Sequence, residues 1–303
     1  MSIRRLKLFF ALSRTPHALL DMALPVAATL LWLGRLPPPK VMGLGLFTVF
    51  AGYAAVYALN DLIDYRTDRA GFLAGEGDAT GRLEAVYARH PIAMGLLSFR
   101  QGFFWTVGWA AAALAGSFLL NPACALVMLA GCGLEALYCG LRTVWPLRAL
   151  THGVVKTLGG VAAVLAVDPG ASGLFVALAV APVFLWEIGG QNIPADWFDV
   201  ETDRRQGART LCVALGPDVA ARVSLLTLCA ATLLTVVALH ASPAGLPASL
   251  IAFVTAINLA IMPWSAWKLM RRPSREMARG LFARASLFPA VMLAAAAIWF
   301  IVR

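Results

Sequence analysis

Six aspartates carry the chemistry that can be read from this sequence. Asp61, Asp64 and Asp68 close one apolar run, and Asp196, Asp199 and Asp203 close another. Both triplets are spaced i, i+3, i+7, which sets three carboxylates on one face of an α-helix. Like charges at that spacing repel, and a carboxylate beside hydrocarbon is costly to desolvate, so each triplet calls for a compensating cation. Solvated helix ends, or pairing with Arg66, Arg69, Arg204 and Arg205, would supply it without any function. Two triplets with one spacing, each with an asparagine nearby (Asn60 and Asn192), argue instead for a site. Hard oxygen donors with no His or Cys beside them suit Mg2+, which keeps several waters and is completed by substrate phosphate oxygens. Two facing triplets could therefore hold a diphosphate through bridging Mg2+ ions, with the metal neutralising charge on a departing diphosphate. Ca2+ would accept the same ligands, but there is no EF-hand loop.

The elements that must position these groups are membrane helices. Of the 303 residues, 60% are hydrophobic and 14% charged, with a mean hydropathy of +0.76. A soluble domain is about half apolar and about a quarter charged. The same composition excludes disorder, a collagen-like repeat and a disulfide-stapled chain. Apolar runs near 18–35, 41–60, 102–120, 122–141, 150–167, 172–192, 219–239, 246–267 and 281–301 predict nine transmembrane helices. The expectation is an all-α integral membrane protein, one bundle and one domain over residues 1–303. The first run is too long for the core of a signal peptide, and no small-residue cleavage site follows it. The five cysteines show no CxxC spacing and read as small buried hydrophobes.

Most of the 25 Lys and Arg fall on one side of this topology: the N-terminus, the loops that follow the even-numbered helices, and few elsewhere. Arg35, Lys40 and Arg303 fall on the other. That bias predicts a cytoplasmic N-terminus, with both aspartate triplets at the cytoplasmic face of a bacterial or archaeal membrane. The net charge of +9 is then a basic face against anionic lipid, not a nucleic-acid surface.

The stretch Asn60-Asp61-x-x-Asp64-x-x-x-Asp68 and the stretch Asp196-x-x-Asp199-x-x-x-Asp203 resemble the paired motifs of the UbiA-type intramembrane prenyltransferase superfamily. Flanking matches are weaker one by one: Arg14-x-Pro16, Arg89-x-Pro91 through Gly95 and Ser98, Tyr138-x-x-x-Arg142, and Gly207-x-x-Thr210. The resemblance covers most of the chain and implies nine transmembrane helices with both motifs facing the cytoplasm. It implies that Asp61, Asp64 and Asp68 bind one Mg2+ and Asp196, Asp199 and Asp203 another, supported by Asn60 and Asn192. The implied donor is an isoprenyl diphosphate with its tail in an apolar groove, and the implied acceptor is aromatic or lipid-like. Arg142 stands where the family usually has Lys; it keeps the charge and can grip phosphate oxygens bidentately. Lys156 offers a second cation, and Arg66, beside the first triplet, is a further substrate-binding candidate. Loop 69–89 is long; its Gly-rich GEGDATG segment turns, and 82–89 reads as a short amphipathic helix, either a cytoplasmic cap or a variable decoration.

Several other residues share faces with these groups. His17 and Asp21 are i, i+4 in the first span, a proton-accepting pair or a hydrogen-bonded pair at the helix start. Glu135, Tyr138 and Arg142 are i, i+3, i+7 in the fourth, so Glu135 is a membrane-depth carboxylate, either binding or counter-ion. Pro194 predicts a kink just before Asp196; Glu187 precedes it with an open role. Tyr57 is a candidate for stabilising an allylic cation, and Tyr53 and Trp186 read as packing. His152 and Lys156, at i, i+4, could touch phosphate. Three functions stay in view: a prenyltransferase, a terpene cyclase on the same scaffold without an acceptor, and a transporter. The transporter is disfavoured because the aspartates lie at one face and no broken-helix inverted repeat is evident. No residue selects the acceptor or the prenyl chain length.

Overall fold

A chain segment crossing hydrocarbon must satisfy its backbone internally, and helices do so within one segment. The computed structural model describes residues 3–73, 88 and 90–302 and is all-helical over them. Nine helical segments among the described residues are long and apolar enough to cross a membrane, so the chain is a multi-pass integral membrane protein. After α1 (Ile3–Leu12), the first span is α2 (Thr15–Asp21) plus α3 (Ala23–Leu33). The second is α4 (Pro39–Ile63), which runs into α5 (Tyr65–Leu73). Then come α6 (Phe99–Leu120), α7 (Pro122–Gly140) and α8 (Arg148–Val167). The sixth span is α9 (Gly173–Trp186), a π-helical turn at Glu187–Asn192, and α10 (Ile193–Arg205). After the short α11 (Leu211–Leu215) come α12 (Pro217–His240), then α13 (Ala248–Ile261) with α14 (Pro263–Arg271), then α15 (Arg275–Ala285) with α16 (Phe288–Val302).

Local signals set many of these boundaries. Pro39, Pro122, Pro217 and Pro263 stand at first helical positions, where the missing N–H costs nothing. Ser98 and Gln101 form a reciprocal capping box at the start of α6. The outer surface is apolar: Phe104, Phe118, Leu126 and Leu226 are all exposed, as side chains facing lipid are. At the end remote from the aspartates, short connections are tied together. Trp32 Nε1 donates to Asp168 at 3.1 Å, Ser242 Oγ to the Leu31 carbonyl at 2.6 Å, and Trp299 Nε1 to the Ala244 carbonyl at 2.9 Å. Gly34 turns there with φ +59°, and a Cβ on it would sit 3.3 Å from Ala244 Cα. All five cysteines are free.

The spans match the apolar runs, but four of them are broken or extended. The first breaks at Met22, and the eighth at Met262 (φ −110°, ψ −81°) ahead of Pro263. The ninth breaks around Ser286. The sixth continues to Arg205, well past the apolar run, and carries its irregularity before Pro194 rather than at it. A proline ring clashes with the carbonyl four residues back and has no N–H to give, so the preceding turn widens. Gly189 and Gly190 allow neighbours to close on that wide turn. A Cβ on Gly189 would lie 2.1 Å from Thr227 Oγ1 and 2.9 Å from the Ser224 carbonyl, and one on Gly190 would lie 2.9 Å from Ala285 Cβ. Ser224 Oγ donates to the Gly189 carbonyl at 2.5 Å. Gly189→Ala is therefore expected to cost about 1–3 kcal/mol as overpacking, read as a lower thermal midpoint in detergent.

The basic stripe ending the eighth span has two tryptophans beside it. Trp264 and Trp267 stack at 4.9 Å, and Lys268 Nζ sits 5.3 Å above Trp264. Exposed Trp with adjacent cations is the composition of a membrane interface. The Gly-rich segment 75–81, the expected 82–89 helix and Arg89, and with them the expected cap, lie outside the described residues apart from Ala88.

Candidate active site

The first aspartate triplet spans a break in the helix. α4 ends at Ile63, Asp64 is its C-cap, and Asp68 lies in the first turn of α5. The i→i+4 backbone bonds persist across the break, Asp64 N to Asn60 O at 3.0 Å and Asp68 N to Asp64 O at 2.9 Å, so the three carboxylates keep one face. Asp61 is buried and accepts from Arg14 Nη2 at 3.0 Å; the same guanidinium reaches Asn60 Oδ1 at 3.1 Å. His90 Nδ1 lies between two carboxylates, 3.1 Å from Asp61 and 3.0 Å from Asp68. Arg14 (φ +45°) and His90 (φ +54°) are the two non-glycine residues in the left-handed region among those described, and both touch Asp61. Side chains rarely sit there unless surrounding structure holds them, and such strain collects at functional sites.

The charge balance matches this geometry. Burial and then Asp68 push the Asp64 carboxyl up to about 6, against the pull of Arg142, Arg148 and Arg14. Burial opposes charge on His90, but Asp61 and Asp68 outweigh it and raise the imidazole to about 9. A cation thus stands between Asp61 and Asp68.

The second triplet lies wholly on α10, one turn beyond the π-helical segment. Arg142 Nη2 donates to Asp203 Oδ1 at 3.1 Å and to Gln206 Oε1 at 2.5 Å. Arg142 lies in the turn after α7 rather than on its helical stripe. Arg148, at the start of α8, is buried, with its guanidinium 4.6 Å over the Tyr138 ring and Nη2 3.6 Å from Asp196. Its charge acts on Asp196 and Asp203 of the second triplet and on Asp64 of the first. Arg66 is exposed and makes no ion pair among the described residues.

Below the triplets a buried polar network joins five spans. Asn60 Nδ2 donates to Glu135 Oε1 at 3.0 Å. His152 lies between two carboxylates, with Nε2 3.7 Å from Glu135 Oε2 and Nδ1 2.9 Å from Glu187 Oε1. Asn192 donates to Glu187 Oε1 at 2.7 Å and accepts from Tyr138 OH at 3.2 Å; Tyr138 stacks on His152 at 4.6 Å. One turn deeper, Lys156 binds Asp21, donates to Tyr57 OH at 2.6 Å and lies 3.8 Å from Glu187 Oε2. Tyr57 also donates to Asp21, and His17 Nε2 is 3.7 Å from Asp21. Lys156 is thus committed to Asp21 and Tyr57, below the triplets. Arg148, His152 and Lys156 fall at i, i+4, i+8, one stripe of α8; that spacing is the signal that identifies Arg148 and His152.

An apolar cavity of about 240 Å³ opens beneath this network. Tyr57, His152 and Lys156 line its head, and Leu36, Pro37 and Val167 line its far end. Walls between are almost wholly apolar, drawn from α3, α4, α6, α7 and α8.

Comparison with known proteins bears on this arrangement. Residues 22–290 match the family described as the UbiA prenyltransferase family. The chain belongs to this family. It is an enzyme of the prenyltransferase class, and the similar proteins agree. A digeranylgeranylglyceryl phosphate synthase of Thermococcus sibiricus is 25% identical over 274 residues, 90% of each chain. A UbiA homologue from Aeropyrum pernix K1 superposes with a TM-score of 0.71 at 23% identity, covering 92% of this chain and 97% of that one. A UbiA homologue from Archaeoglobus fulgidus bound to DMAPP and Mg2+ superposes at 0.66 with 19% identity, covering 96% and 99%.

The residues of this UbiA family member fit a divalent metal. Ligand atoms of Asp61, Asp68 and His90 lie within 4.8 Å of one another, around a place already holding positive charge. The remaining donors, Asp64 and the α10 aspartates, are hard oxygens, which suits Mg2+ better than a thiol-seeking metal.

Proposed function

We propose that this prenyltransferase moves an isoprenyl group from a prenyl diphosphate to a hydrophobic acceptor within the membrane and releases diphosphate. The observation that carries the reading is vertical order. Two carboxylate triplets with interposed arginines lie directly above a polar network, which in turn caps an apolar cavity. An amphiphile with a diphosphate head and a prenyl tail has that same order. The aspartates would hold Mg2+, which supplies charge to balance the leaving diphosphate. Arg14, Arg142 and Arg148 would orient the phosphate oxygens. The bond from the prenyl C1 to oxygen breaks, and its electron pair leaves with diphosphate. An acceptor carbon or oxygen forms the new bond, and the acceptor loses a proton. Tyr57, ringed by Tyr53 and Lys156 at the cavity head, faces the place where allylic positive charge develops. The site would open to the cytoplasm, in line with the distribution of Lys and Arg.

A terpene cyclase would use the same head site but no acceptor. The Tyr53–Tyr57 stack favours it; the buried carboxylates near the cavity head favour transfer. Purified protein given prenyl diphosphates decides between them. Transfer gives little diphosphate until an acceptor extract is added, whereas cyclisation gives Mg2+-dependent release with a cyclic product and no acceptor. No metal-dependent release under any condition would sink both.

The cavity also sets a tail length. Its wall on α8 runs from Lys156 to Val167, and on α4 from Val41 to Tyr57, about 17–24 Å at 1.5 Å per residue. An extended isoprene unit of four bonds near 1.5 Å covers about 5 Å, so about three to five units fit. Gly45 lines the far end, and a Cβ there would meet nothing within 4 Å. Gly45→Trp is expected to lower kcat/KM for a C20 donor at least about ten-fold relative to a C10 donor, since each lost CH2 of burial is worth about 0.8 kcal/mol. Unchanged donor ratios would place the tail elsewhere.

A further inference from the structure

Along the chain, the first aspartate triplet offers oxygen donors alone, a donor set for Mg2+. The fold adds a nitrogen. His90, 29 residues beyond Asp61, brings Nδ1 to 3.1 Å from Asp61 Oδ1 and 3.0 Å from Asp68 Oδ2. Neighbouring donors on an octahedral ion with bonds near 2.1 Å stand about 3.0 Å apart, so the imidazole has the separation of a fellow ligand from both carboxylates. Among the described residues, no other group of three His, Cys, Asp or Glu ligand atoms converges within 4.8 Å.

A protonated imidazole bridging two carboxylates has nearly the same separations, and three features favour the ligand. Asp61 already has a counter-ion in Arg14 at 3.0 Å, so it does not need His90 for charge. Asp64, on the same face between Asp61 and Asp68, makes no hydrogen bond or ion pair among the described residues; a bridging imidazolium leaves it idle, whereas a metal ion does not. His90 also holds φ +54° immediately before Pro91, whose ring narrows the backbone choices of the residue ahead of it. Strain of that kind persists where surrounding structure fixes a side chain for a task. The second triplet differs: Arg142 and Arg148 reach Asp203 and Asp196, and a guanidinium donates hydrogen bonds but does not ligate.

We propose that His90 is a ligand of the ion held by the first triplet, so that this position prefers a first-row transition metal such as Mn2+ or Co2+ over Mg2+, while the α10 triplet stays an Mg2+ site. The inference rests on the reading of the two triplets as metal-holding. Imidazole nitrogen binds the later first-row ions far better than it binds Mg2+, and affinity at a mixed nitrogen and oxygen site rises from Mn2+ to Co2+. His90 binds as the neutral imidazole, and its proton goes to solvent as the metal enters. The two metal positions are then chemically unequal, one of mixed donors and one of oxygen alone.

The test uses the purified full chain in detergent with metals alone, so it is independent of turnover. Less than one equivalent of Mn2+ is added with Mg2+ in excess to fill the all-oxygen site. Electron spin-echo modulation of the bound Mn2+ then reports any nitrogen ligand, on protein with ordinary histidine and with histidine labelled in the heavier nitrogen isotope. The expected result is nitrogen modulation that shifts on labelling and disappears in both His90→Asn and His90→Arg. Arginine keeps the positive charge beside Asp61 and Asp68 but cannot ligate, so a counter-ion role predicts that His90→Arg binds metal as wild type does. The ratio of the Mg2+ Kd to the Co2+ Kd should fall at least about ten-fold in both variants. Two variants guard against one failing to fold, and the labelled wild type needs neither. No nitrogen modulation in the wild type, modulation that persists in both variants, or an unchanged Kd ratio in both would overturn the assignment. Mn2+ bound without nitrogen and released in Asp64→Ala would overturn His90 as a ligand yet keep the triplet as a metal site; no metal binding at all would sink both. Histidine modulation with no metal-dependent diphosphate release would instead fault the prenyl-transfer reading.

Discussion

Asp64→Ala and Asp199→Ala, each made alone, are expected to lower Mg2+-dependent diphosphate release about a thousand-fold, equivalent to about 4 kcal/mol in the barrier. Asp64 is the more telling of the two. Its carboxylate makes no hydrogen bond or ion pair among the described residues, and burial and Asp68 together push it up to about 6. Within the protein it is a source of repulsion, so removing it should leave the fold as stable as before or more so. Loss of function with retained stability marks a group kept for a ligand. Asp199 occupies the corresponding middle position on α10, between Asp196 and Asp203. The measurement is diphosphate release across an Mg2+ titration, with thermal unfolding in detergent alongside. If both variants stay within a few-fold of wild type at saturating metal, the two-triplet site is wrong.

Arg148→Ala should come next in size, a loss of about 3–4 kcal/mol in kcat/KM for the donor, or a few hundred-fold. Its guanidinium is buried, lies on the face of Tyr138 and is 3.6 Å from Asp196, within the influence of Asp64 and Asp203. A single planar cation acting on both carboxylate triplets can grip two phosphate oxygens at once, which a lysine cannot. Arg148→Lys is therefore expected to recover only part of the loss, chiefly in kcat. Removing Arg148 also leaves Asp196 without its nearest cation, so the stability cost is checked by thermal unfolding before kinetics are compared. A rise in KM with kcat unchanged would assign Arg148 to uniform donor binding, and wild-type kinetics in Arg148→Ala would remove it from the site.

The spans were legible because lipid tolerates only uninterrupted apolar helices, and the aspartate triplets because their spacing survives the break at Asp64. Family membership was legible from the same motifs. Less visible were groups whose partners arrive from other helices. Arg14, His90 and Asp61 come from three separate segments, and nothing local to His90 announces that it lies between Asp61 and Asp68. The roles of Glu135 and Glu187 depend on His152, which sits on a third span. Lys156 was read as a phosphate cation, yet its partner Asp21 lies 135 residues away, a pairing that spacing cannot reveal. Arg148 was masked by the positive bias of its side of the membrane, which accounts for basic residues in bulk and so hides the one with a specific position. Pro194 did signal an irregularity, but a proline disturbs the turn that precedes it, so the disturbance fell on Glu187–Asn192.

That wide turn has a rotational consequence. In a regular helix each residue advances about 100° around the axis, so one extra residue accommodated in a π-helical turn resets the azimuth of everything downstream. The lipid-packed half of the sixth span and its aspartate half therefore follow separate angular registers. Excising a single residue from Glu187–Asn192 would restore a regular turn with Asp196, Asp199 and Asp203 close to their present azimuth, whereas tightening the turn with all six residues kept would swing the second triplet by roughly 100°, leaving every ligand in the sequence and no site in the protein.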